Sequence, residues 1–209
     1  MNSQIHKLGR LLASLVDDDF KYVQSRLALE KTLTEGCQSI VIDLHPTGEV
    51  GLFKFASHAH IRLNVLENQY GHFHPFLSIK ERKSNPTVAI NCDLLFSDKT
   101  LANSFEVHED KLAEIASKYA DAIDCDVLPF FDKYFSVENL VASFEQTDPK
   151  LWVISDHNAR NLVLLSAYAL ESKWDKFDQV SSEFLEYCEK PFAQAYLPLA
   201  QNVIKGLRN

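Results

Sequence analysis

The chain has 209 residues, 46% hydrophobic and 24% charged, with a formal net charge of -8 at pH 7 and a sequence pI near 5.5. Such a composition belongs to an ordinary globule that can bury a core without metal or disulfide support. Its acid excess repels phosphate backbones and anionic lipid headgroups, which argues against nucleic acid and membrane surfaces and suits a basic protein partner.

Residues 3–17 carry Ile5, Leu8, Leu12, Leu15 and Val16 at helical spacing behind Ser3, and predict an amphipathic helix. Asp17-Asp18-Asp19 follows it. Carboxylates there meet the negative end of the helix dipole, so the triplet reads as a solvated turn rather than a metal site. From Tyr22 the period becomes two. Val23, Leu27, Leu29 and Leu33 alternate with polar residues and predict a half-buried strand ending at Gly36. Further strands are expected over residues 40–44, 50–55, 61–65, 73–79 and 87–96. Short turns such as His45-Pro46-Thr47-Gly48, and the charged loop 80–86, join them into an antiparallel meander of about five to six strands.

After Asp110 the pattern is helical, with Leu112, Ile115, Ala116, Tyr119 and Ile123 forming a stripe. Pro129 is expected to kink or end that helix before Phe130, Phe131, Tyr134 and Phe135, a group read as core. Ser136 caps a short helix, Asp148-Pro149 opens a turn, and Ser155-Asp156 starts a strong helix. Helices over 173–189 and 192–207 complete the chain, the last interrupted at Pro198. Strands first and helices afterwards predict an α+β fold. Its parts are an N-terminal helix, the meander, and a C-terminal helical half packed on or beside the sheet. One domain is expected over 1–209, with the sheet in 1–108 and the helical part in 109–209.

The segment before Lys7 lacks a signal-peptide pattern, and the apolar run 162–170 is too short to span a bilayer. Cys37, Cys92, Cys125 and Cys188 are scattered and read as reduced thiols, so the expected compartment is the cytoplasm.

The most unusual chemistry is in two histidine pairs, Ser57-His58-Ala59-His60 and Gly71-His72-Phe73-His74. A spacing of two puts both rings of a pair on one face of a strand. A hairpin centred on Leu66 would pair His60 with His72 and His58 with His74; one centred on Glu67 would pair His60 with His74 and Arg62 with His72. Cross-strand imidazoles can supply ligands to zinc, which makes His58, His60, His72 and His74 the candidate metal ligands and a metal-dependent enzyme the alternative function. Together with Arg62, the candidate ligand-binding residue, they could instead form a cationic patch for an acidic ligand. A third reading, a plain polar face, is preferred because no carboxylate has recognisable spacing to the cluster.

No P-loop, Rossmann glycine pattern, G-x-S-x-G elbow or H-E-x-x-H motif is present, and no catalytic residue is assigned. Asp121, Asp124 and Asp126 read as solvated acids. His108-Glu109-Asp110 and Asp156-His157 read as helix starts.

A helix, then a meander, then a kinked helix carrying Leu128-Pro129-Phe130-Phe131 and Tyr134 resembles a bacterial family of uncharacterised α+β domains. Arg26-Leu27-Ala28-Leu29-Glu30-Lys31 and Ile61-Arg62-Leu63-Asn64-Val65 add to that resemblance, which covers roughly the first two thirds of the chain. Such families are similar to immunity proteins encoded beside polymorphic toxins. The resemblance implies a binding protein, an immunity-type inhibitor of a basic partner. It brings no functional residues, and the helical segment after Asp156 departs from it.

Overall fold

The computed structural model describes residues 2–98, 100–101 and 106–209. Its elements in chain order are α1 (Asn2–Ala13), β1 (Lys21–Val23), β2 (Ala28–Leu33), β3 (Gly36–Pro46), β4 (Leu52–Leu63), α2 (Asn64–Tyr70) and α3 (Ile79–Arg82). β5 (Val88–Asn91), α4 (Cys92–Leu95), β6 (Glu106–His108), α5 (Leu112–Ala122) and α6 (Leu128–Tyr134) follow. The last four are α7 (Val137–Phe144), α8 (His157–Leu170), α9 (Trp174–Glu189) and α10 (Leu197–Arg208). This is the expected α+β class: an N-terminal helix, an open antiparallel sheet of six strands, and a C-terminal helical half.

The chain divides into two compact units. The sheet unit comprises Met1–Ile61 with Ala89–Lys133, and the helical unit comprises Arg62–Val88 with Tyr134–Asn209.

In the sheet unit the strand order is β1-β2-β3-β4-β5, with β6 beside the start of β4. What reads as one strand from Tyr22 is two. Leu27 takes a left-handed conformation, φ 50°, which folds β1 back on β2 with Tyr22 opposite Leu29. β2 then pairs with β3 around Thr34-Glu35, setting Leu29 against Ile40. β3 turns into β4 through Gly48 and Gly51, both at positive φ, a conformation that glycine adopts without steric cost. Val50 in that turn is fully exposed instead of lying on a strand. The strands expected over 50–55 and 61–65 are one continuous strand, β4, with Phe53, Phe55, Ser57, Ala59, Ile61 and Leu63 buried on one face.

α1 buries Leu8 and Leu12 against α5 and the first three strands. The predicted α5 stripe holds, with Leu112, Ala116, Tyr119 and Ile123 buried. Pro129 does not break this helix. Residues Ile123–Val127 form a π turn, with the Leu128 N–H bonded to the Ile123 carbonyl, and α6 continues from it. Proline offers no N–H to the preceding turn and its ring crowds the carbonyl there, so a locally wider helix absorbs it. Phe130 and Phe131 are buried as expected, Phe131 stacking on Phe20 at 6.0 Å. The strand expected over 87–96 stops at Asn91, and the helical turn α4 leaves Leu94 exposed while Cys92 and Phe96 stay buried.

In the helical unit α8 packs on α7, α9, α10 and α2. Its N-cap, Asp156, accepts from the Asn158 and Ala159 N–H groups at 2.8 and 3.3 Å, and Ser136 caps α7 from Asn139 N–H at 3.3 Å. The strand expected over 73–79 does not form. The chain leaves β4 directly into α2, where Leu66 and Tyr70 are buried. A 3-10 turn, Gly71–Phe73, follows, and Ser78 with Glu81 then closes a capping box on α3.

Candidate functional site

The missing hairpin decides where the histidines lie. β4 places His58 and His60 on one half-buried face, as expected, with ring centroids 6.3 Å apart. His58 Nε2 is 3.4 Å from the Asp43 carboxylate on β3. Burial pushes His60 down to about 4, with the neighbouring His58 adding to the effect and Asp43 opposing it. His60 is therefore a neutral ring at pH 7.

His72 lies in the 3-10 turn and His74 just after it, both in the helical unit and neither on a strand. Their segment is held by Arg82, which donates to the carbonyls of Leu77, His72 and His74 at 3.0, 3.0 and 3.1 Å. The ladder that was to align four imidazoles is thus replaced by helix and turn. Among the described residues, no three His, Cys, Asp or Glu side chains are grouped to hold a metal ion.

Arg62 is engaged inside the helical unit. Its Nη1 donates to the Asn85 carbonyl at 2.6 Å and lies 3.4 Å from the Glu67 carboxylate. Glu67, 2% exposed, also accepts from the Tyr70 hydroxyl and from Asn85 Nδ2. Burial still pushes its carboxyl above the usual range. Arg62 serves here as the counter-ion of a buried acid.

The acids are unevenly shared. The sheet unit has ten lysines and arginines against seventeen aspartates and glutamates, a net -7; the helical unit has eleven against twelve, a net -1. In the sheet unit Lys31 bridges Asp17 and Asp19 at 3.3 and 2.8 Å. Asp124 on the π turn is pushed up by burial and then by Asp121 and Asp17, which places the loop after α1 close to that turn. Asp126 accepts from Ser97 N–H and hydroxyl at 2.8 and 2.7 Å.

The helical unit has a cavity of about 470 Å³ between the α7–α8 connection and α9. Asp156 starts α8 so that His157 is its first residue, with Arg160 and Asn161 one turn on. α9 presents Glu183 and Tyr187 four residues apart, hence on one side. His157 stacks on Tyr187 at 4.8 Å and meets Trp152 edge-on at 4.9 Å. Trp152 is oriented by its Nε1–H donating to the Gln146 carbonyl at 2.8 Å.

Arg160 lies 5.0 Å from the Trp152 ring. Its Nε donates to the Phe144 carbonyl at 3.0 Å, and its Nη1 to Asn161 Oδ1 at 2.9 Å and Glu183 Oε2 at 3.0 Å. Glu183 Oε1 accepts from Gln179, and Glu145 accepts from Tyr168 and Lys176.

Comparison with protein-family models, with curated proteins and with solved structures finds no match. The site's reading therefore rests on its own chemistry. His157 contacts the rings of Tyr187 and Trp152, Arg160 pairs with Glu183, and Lys176 with Glu145. The sequence reading took Asp156-His157 as a helix start and no more. The only available signal was the pairing of aromatic with charged residues on two successive helices.

Proposed function

We propose that the chain is a soluble, cytoplasmic binding protein that inhibits a basic protein partner in the manner of an immunity protein. One observation carries the reading: seven of the eight net negative charges belong to the sheet unit. A one-signed field on one part of a molecule accelerates encounter with an oppositely charged partner and orients it. The four cysteines are free thiols, as suits a reducing compartment. No helix among the described residues is long and apolar enough to cross a membrane. The resemblance of the element order to immunity-type families points the same way.

The test is co-expression with the product of the reading frame encoded beside this one. Relief of that product's toxicity is expected, with an association rate that falls steeply as salt rises and falls again in Asp121→Asn/Asp124→Asn. Absence of protection, or a rate insensitive to salt, overturns the reading.

A further inference from the structure

The outer edge of the sheet is held by a short strap with a strained hinge. β1 has three residues and covers only residues 28–30 of β2; residues 31–33 pair, among the described residues, with β3 alone. The turn that folds β1 back ends at Leu27, φ 50° and ψ 44°. A β-carbon makes this left-handed backbone costly, and leucine has no short polar side chain to offset the cost. Such a conformation persists only where its surroundings enforce it. Here the enforcement is a latch on α1. The Tyr22 ring occupies the space that a side chain on Gly9 would need, and its hydroxyl is 2.8 Å from His6 Nδ1.

Under the strap lies an acid. Glu30 is 7% exposed, and the two cations set against it both belong to the strap and its turn: Arg26 at 2.6 Å, and Lys21 opposite it in the ladder. Lifting β1 about Leu27 removes both and bares the backbone groups along the edge of β2. An unpaired strand edge accepts an added strand through its main chain. Glu30 then selects a strand with a lysine or arginine where Lys21 now lies, and residues 31–33 give that strand a place to start.

We propose that residues 21–26 form a strap that opens about Leu27 and yields the edge of β2 to an extended, basic segment of the protein partner. The choice of occupant rests on the basic partner proposed above; the opening does not, and the chain alone tests it.

Hydrogen exchange and peptide binding are measured on the full chain and on two variants that push the strap in opposite directions. Leu27→Asn installs a residue that accepts the left-handed backbone, and should slow exchange in the β1–β2 ladder by about five- to thirtyfold. Gly9→Ala blocks the Tyr22 latch and should speed it by about fivefold or more. The probe is a labelled octapeptide of alternating lysine and valine, read by fluorescence anisotropy, with its glutamate–valine counterpart as control. The lysine peptide should bind saturably and at least about tenfold more tightly than the control. Because only the open fraction binds, Leu27→Asn should weaken it by the same factor as exchange slows, and Gly9→Ala should tighten it. Exchange that ignores both variants overturns the strap. No saturable binding, or equal binding to all three proteins, overturns the edge as the docking site. Should Leu27→Asn fail to fold, the direction of the Gly9→Ala effects decides. Neither outcome alters the co-expression result, so the strap and the inhibitor role fail separately.

Discussion

The two units differ in how much charge they bury. Beneath the sheet the polar groups are neutral: Ser57 bonds the Tyr119 hydroxyl, the Cys92 thiol lies within reach of both, and His60 is kept uncharged. One acid of that unit, Glu30, is 7% exposed and paired with Arg26 at 2.6 Å, and the unit's excess of acids sets its field. The helical unit buries charge more deeply, with Glu67 at 2% exposure beside Arg62 and Arg160 pinned between Glu183 and the end of α7. Neutral networks leave a surface free to carry one sign of charge. Internal ion pairs spend charge on structure, and that unit's net charge is near zero.

The largest expected effect comes from breaking an internal pair. Arg62→Ala leaves Glu67 without its cation, and such losses cost about 3–5 kcal/mol. Urea unfolding should show the loss at neutral pH. Glu67 is held above the usual carboxylate range by burial, so the folded state takes up its proton first as pH falls. A raised carboxyl favours the fold at acid pH and penalises it at neutral pH. The cost of Arg62→Ala should therefore shrink on acidification, and adding Glu67→Gln should recover much of it at pH 7. A pH-independent loss would show that Arg62 acts only through its bond to the Asn85 carbonyl.

The sheet unit should respond to acid with the other sign. His60 is depressed from 6.5 to about 4, so the unfolded chain protonates first as pH falls. The stability this ring confers is full above pH 6.5 and is lost as pH drops through about 4. That is no more than about 3.4 kcal/mol. His60→Gln should flatten the stability curve over that window, measured by urea midpoints from pH 4 to pH 7. Parallel curves for both proteins would contradict a buried neutral ring.

Where residues announce a local rule, the sequence was legible. The α5 stripe, the Ser136 and Asp156 caps, and the alternation along 61–63 all follow from period and capping chemistry. The stretch 64–79 misled because Phe73, Leu77 and Ile79 sit at odd numbers, as a strand requires. The helical signals there were equally present: Leu66, Tyr70 and Phe73 at spacings of four and three, and Ser78-x-x-Glu81 as a capping box. Leu27 was illegible, since nothing in a leucine foretells φ 50°. Nor could the cavity be read: Trp152 and Tyr187 meet around His157 only because two helices pack, a relation that no local pattern encodes.

Packing without charge supplies a matched pair of tests. A Cβ on Gly206 of α10 would lie 2.3 Å from Phe73 Cγ, and one on Gly9 of α1 would lie 2.2 Å from Tyr22 Cε2. Overpacking costs about 1–3 kcal/mol, against a helix-propensity gain of about 1 kcal/mol for glycine to alanine. Phe73 is struck at the root of its ring, in the turn that Arg82 clamps, whereas Tyr22 is struck at its outer edge. Gly206→Ala should therefore lower Tm more than Gly9→Ala. The reverse order would mean that the bond from Tyr22 to His6, 2.8 Å, holds its ring more firmly than the turn holds Phe73.

The smallest effect is the sharpest for the contrast between the units. Tyr119→Phe removes a hydroxyl bonded to Ser57 but keeps the ring against Phe55 and Phe96, at 4.6 and 5.1 Å. Both partners are neutral, so the expected loss is about 1 kcal/mol. Tyr70→Phe removes the same group from a buried carboxylate and should cost about 1.5–3 kcal/mol. Cys92 provides an independent check, because burial pushes its thiol up to about 12 and a protonated, covered sulfur resists alkylation. Iodoacetamide should modify exposed Cys125 in the native protein while sparing Cys92, in Tyr119→Phe as in the parent. Rapid labelling of Cys92 in that variant, or a cost equal to that of Tyr70→Phe, would show that the hydroxyl under the sheet holds the core closed. The polar group there would then be as structural as the ion pair among the helices, and the difference between the two units would lie in their surfaces alone.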